Sequence, residues 1–140
     1  MKTKFSSLVK LKKNKMQESE QGLSKANIAL SDAKNALEES YLSLDNIEEP
    51  QEGTISSLLA TRTLLTSQRN LIMKNKEWIN FANSQLLQAK KQLKKDMIEY
   101  EKFNYLEVQE IKKIIKKQKE QEAKDLDEVA LMTYSKKDNL

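Results

Sequence analysis

The sequence predicts an all-α protein: two long helices forming an antiparallel coiled-coil hairpin, with helix 2 overhanging helix 1. Three observations predict this. Large apolar residues recur every seven positions through two long segments; the only proline and one of the two glycines fall together between those segments; and the rest of the 140 residues is rich in Lys, Glu, Gln, Leu and Ala. Such a composition has high helix propensity. With 33% charged residues and a mean hydropathy of -0.75, it holds too little apolar material for a layered core.

Helix 1 is expected over about 4–47. Val9, Met16, Leu23, Leu30, Leu37 and Leu44 fall seven apart without a break, which marks a coiled-coil seam because a seven-residue repeat keeps one stripe facing a partner. With these residues as position a, the d positions are Phe5, Lys12, Ser19, Ala26, Ala33, Ser40 and Ile47, most of them small.

The turn is expected over 48–53, within IEEPQEGTIS. Pro50 has no amide hydrogen and disfavours helix at the residue before it, Gly53 tolerates backbone angles that other residues avoid, and Thr54 can cap the next helix. Helix 2 follows over about 54–132, with its own seam at Leu58, Leu65, Ile72, Ile79, Leu86, Leu93 and Tyr100. A tail over 133–140 completes a single hairpin domain.

Volume matching gives a register. Centring the reversal on Glu52 and Gly53 sets Ala33 against Ile72, Ala26 against Ile79, Ser19 against Leu86 and Ser40 against Leu65, large against small in each layer. A shift of one heptad is the alternative. At roughly 65 Å and about 120 Å the helices cannot match in length. Pairing is therefore expected to stop where Phe5 meets Tyr100. Beyond it Val108, Ile111 and Ile115 set a new phase, as a stutter would, within a lysine-rich overhang whose apolar face nothing in the chain covers.

The same composition narrows the chemistry. The chain has no cysteine and no histidine, which excludes disulfides, thiol chemistry and imidazole catalysis. No phosphate loop, nucleophile elbow or metal-ligand spacing occurs, so neither catalysis nor a cofactor is expected. No window approaches the roughly 20 apolar residues of a membrane span, and a soluble, cytoplasmic chain is expected. Net charge is only +4, and the overhang lysines alternate with Glu107, Glu110, Glu120 and Glu122. That pattern is a solvated helix face, and nucleic-acid binding is not expected. What remains is interaction surface: Leu42 on helix 1, Leu59, Met73, Phe81 and Leu87 on the outside of helix 2, and Tyr41, Leu64, Leu71 and Trp78 beside the seam. Two hairpins burying these as a four-helix bundle would make a self-associating structural coil.

The two ends add a resemblance. The start, KTKFSSLVKLKKNK, and the end, KEQEAKDLDEVALMTYSKK, resemble the FliJ family of flagellar type III export proteins, which are similar in architecture to the short central-stalk proteins of virulence secretion systems. The matching residues are Phe5, Leu8 and Val9, then Leu126, Asp127, Glu128 and Ala130. The resemblance implies a stalk whose terminal end enters the hexameric export ATPase and whose tip side reaches the cytoplasmic domain of the export gate, with a part in handling export chaperones. Membrane contact would be only indirect, through the gate. On this resemblance Phe5, Leu8, Val108, Ile111, Ile115, Leu126, Asp127, Glu128 and Val129 are assigned to the ATPase, and Tyr41, Leu42, Leu59, Leu71, Met73 and Trp78 to the gate. Lysines stand near the C-terminus where family members commonly carry arginines, so an arginine-specific ATPase contact does not carry over.

Overall fold

The computed structural model describes residues 2–50 and 53–138. Among them there are two helices, α1 (Ser6–Asp45) and α2 (Ile55–Asp138), and no strand. Gln51 and Glu52 of the expected turn, and Asn139 and Leu140 of the expected tail, lie outside the described residues.

Local chemistry sets the helix ends. At the start of α1, Thr3 Oγ1 accepts from the Phe5 amide at 3.1 Å while the Thr3 amide donates to Ser6 Oγ at 2.8 Å. This reciprocal pairing satisfies amides that the first turn leaves open. α1 closes two residues before the expected Ile47, with Asn46 N donating to Leu42 O and Ile47 N to the nearer Leu44 O, a tightening that ends a helix. Thr54 caps α2, accepting from Ser57 N through Oγ1 at 3.3 Å. Gly53 just before it has φ 157°, a value side-chain-bearing residues rarely adopt. At its far end α2 runs on past Met132 to Asp138, because no glycine or proline interrupts it there.

The chain forms two compact units, Met16–Asp96 and Met1–Lys15 with Met97–Leu140. In the Met16–Asp96 unit the heptad prediction is followed closely. From Leu65 to Asp96 every a and d position of α2 is buried or half-buried and every other residue is exposed. From Met16 to Leu44 the same holds for α1, with Ala36 the one addition. Ala33 is wholly buried, and Ile72 and Ala82 are its buried counterparts on α2.

The register is one heptad away from the volume-matched expectation. Gln68 Nε2 donates to Ser40 O at 2.9 Å, and Asn75 Nδ2 donates to Ser40 Oγ at 3.1 Å and Ala36 O at 3.2 Å. Gln68 and Asn75 flank Ile72 by four and three residues, so Ser40 faces Ile72 and not Leu65. Likewise Ser19 Oγ donates to Asp96 Oδ2, which puts Ser19 opposite Leu93 and not Leu86. Large still meets small in the layers of the small α1 residues, since Ala33 now faces Ile79 and Ala26 faces Leu86. Volume alone does not separate the two registers, because both seams repeat every seven residues. The seam hydrogen bonds separate them.

The other unit follows the same shifted register. Lys12 Nζ lies 3.6 Å from Glu99 Oε2 and 5.6 Å from the centre of the Phe103 ring, and Ser6 Oγ donates to Glu107 Oε1 at 2.8 Å. Pairing therefore reaches Glu107, past the expected limit at Tyr100. Around it the covered face broadens to take in Leu106, Glu107, Gln109, Glu110, Ile111 and Ile114, so the old heptad phase and the new one share it. From Ile115 to Lys136 every side chain of α2 is exposed.

Candidate interaction surfaces

The residues assigned to an ATPase fall into two groups along α2. Near the start of α1, Phe5 is half-buried with the Lys4 ammonium 5.4 Å from its ring centre, and Leu8, Val108 and Ile115 are partly exposed while Ile111 is half-buried. The Ser6 to Glu107 hydrogen bond brings the α1 start beside this part of α2. Leu126, Asp127, Glu128 and Val129 form the second group, separated from the first by the polar run Lys116–Asp125 with Ala123 its only apolar residue. Ile115 and Leu126 are eleven residues apart, three helical turns, so they share a face about 16 Å apart along the axis.

The end of α2 is more apolar than the sequence reading allowed. Leu126 is 70% exposed, and Val129, Leu131, Met132 and Tyr134 are comparably open. At 100° per residue Leu126 and Val129 lie on one side, Met132 follows round from Val129, and Leu131 and Tyr134 lie on the other side. Apolar side chains thus occur on every side of the helix, with Asp127 and Glu128 between them. Leu131, Met132 and Tyr134 are not among the residues the sequence singled out; Tyr134 alone falls in the expected tail, and no glycine or proline after Gly53 marks a helix end before it.

The residues assigned to a gate do not form one patch. The Lys76 ammonium sits 5.8 Å from the Tyr41 ring centre, which marks the edge of the helix pair where e positions meet. Leu59, Met73 and Leu87, at b positions spaced fourteen apart, border that edge. Leu71 and Trp78 are at g positions on the opposite edge, with Leu64 and the neighbouring c residue Phe81. Leu42 is at an f position on the back of α1. All of these side chains are exposed to some degree. The set splits into an e/b track, a g/c track and one residue of α1.

Among the described residues no group of His, Cys, Asp and Glu is arranged to hold a metal ion, and no helix is long and apolar enough to cross a membrane. A depression at the tip is lined by Glu48, Glu49, Pro50, Ser57 and Thr61, and both carboxylates there are exposed. The surfaces are suited to binding other macromolecules.

A family model described as Flagellar FliJ protein matches residues 1–139. No curated protein and no solved structure matches the chain.

Proposed function

The chain belongs to the Flagellar FliJ protein family, flagellar export components that act as non-enzymatic stalks, and from this premise we propose that its terminal end inserts into the hexameric export ATPase. The observation that carries the proposal is the apolar girdle at the end of α2. A helix that is apolar on one side suits a groove, whereas one that is apolar all round suits an enclosure that covers every side. Leu126, Val129, Leu131, Met132 and Tyr134 are all open to solvent in the isolated chain, and the central hole of a hexamer is such an enclosure. Phe5, Leu8, Val108, Ile111 and Ile115 form the collar nearer the paired helices, with Asp127 and Glu128 as polar flanks of the girdle.

The gate reading is narrowed by the two-track arrangement. We assign contact with the cytoplasmic domain of the export gate to one edge at a time: Tyr41, Leu59 and Met73 on the e/b track, or Leu71 and Trp78 on the g/c track, with Leu42 lying apart from both. A part in handling export chaperones would use the remaining track. We assign the protein to the cytoplasm at the base of the export apparatus, a reading supported by its family membership.

The test is size-exclusion chromatography with light scattering, on the protein alone and then mixed with the export ATPase under non-hydrolysable nucleotide. One copy per hexamer is expected, and Leu126→Asp with Val129→Asp should abolish co-elution without loss of helicity. Normal binding by that double variant would refute the terminal assignment. A stable dimer that ignores the ATPase would instead favour the self-associating four-helix coil.

A further inference from the structure

We propose that the α1–α2 seam has a second register available, displaced by one heptad, and that Asn75 with Ser40 selects the one observed. The two registers are close to equivalent in packing. Moving α2 by seven residues relative to α1 keeps each small residue against a large one, because Ala33 exchanges Ile79 for Ile72 and Ser40 exchanges Ile72 for Leu65. The displacement is about 10 Å along the helix axes.

Apolar burial at the two ends pulls in opposite directions. Leu58 is a seam position, yet it is 41% exposed in the observed register, since α1 has already ended where its partner would lie. One heptad of slip would set Leu58 against Ile47. In the other unit the same slip would separate Lys12 from Glu99 and Phe103 and take Phe103 off its position opposite Val9. One end gains cover as the other loses it, so burial leaves the choice nearly balanced.

Hydrogen bonds break the balance. Asn75 Nδ2 reaches Ser40 Oγ at 3.1 Å, and the residue seven before Ser40 is Ala33, which has no hydroxyl to offer. Asp96 is a buried carboxylate that accepts from Ser19 Oγ and, at both oxygens, from Gln92 Nε2 at 3.1 Å. Slip would replace the Ser19 hydroxyl at Asp96 with the ammonium of Lys12, the residue seven before it, so Asp96 keeps a partner in either register. Polar groups at isolated seam positions are known to fix register in coiled coils at some cost in stability. The Asn75–Ser40 contact therefore holds the hairpin in one of two nearly matched states, and a partner that covers Leu58, or that occupies the surface Phe103 leaves, would bias it.

Introduced cysteines read the register directly, because the chain has none of its own. The pair Ala33→Cys with Ile79→Cys can close only in the observed register, and Ala33→Cys with Ile72→Cys only in the slipped one. On the native background the first pair should close within the chain and the second should not. Adding Asn75→Leu should raise closure of the second pair by about tenfold or more while helicity by circular dichroism is kept. Ser40→Ala alone, a milder change, should raise it less and in the same direction. Unchanged closure of the second pair in both backgrounds, with helices intact, would overturn the proposal.

Discussion

Two stretches of the one helix α2 contrast sharply. Between Leu65 and Asp96, the side chains at a and d positions are covered by α1 and everything else is open. From Ile115 onward, Leu126, Val129, Leu131, Met132 and Tyr134 are as apolar as the seam residues but have nothing over them. Helix propensity is the same in kind on both sides, so propensity alone can carry a helix beyond its packing. What differs is the origin of stability: cross-helix burial in the first stretch, intrinsic helix formation in the second. Substitutions should therefore be costly in the first stretch for folding and in the second only for binding.

The largest effect should come from Ala33→Asp, which forces a charge into a wholly buried layer. A loss of roughly 3 kcal/mol or more is expected, read from the urea midpoint by circular dichroism. Ile72→Ala, at a buried seam position, should cost about 2–4 kcal/mol in the same measurement. Gly53→Ala strains the backbone at φ 157° and brings a methyl to 3.5 Å from Ser57 Cβ, so about 1 kcal/mol is expected, seen as a lowered thermal midpoint. Lys12→Ala removes a partly exposed ion pair with Glu99 and should shift stability by under about 1 kcal/mol. Leu126→Ala should leave the midpoint within about 0.5 kcal/mol of the native chain. A destabilised Leu126→Ala protein would mean that the girdle packs within this chain and that the contrast between the stretches is wrong.

The candidate surfaces were only partly legible. Exposure at Leu59, Met73, Leu42 and Trp78 followed from their heptad positions, because a two-helix pair covers only a and d. Their division between two edges follows from the same positions, since in an antiparallel pair e meets e and g meets g, and Lys76 beside Tyr41 marks the e edge. The girdle was legible at Leu126 and Val129 through their resemblance to the family ends. Leu131 and Met132 lie within the expected helix but joined it only through their exposure, and Tyr134 joined it because the helix continues to Asp138.

Heptad spacing, the placement of Pro50 and Gly53, and the helix-rich composition together determined that this chain is two long paired helices, because those signals are local and each turn of helix carries them. Which layer meets which was decided by tertiary structure. A pattern that repeats every seven residues has nearly the same packing energy after a seven-residue shift, and only contacts between distant residues, Ser40 with Gln68 and Asn75, Ser19 with Asp96, Ser6 with Glu107, distinguish one register from the next.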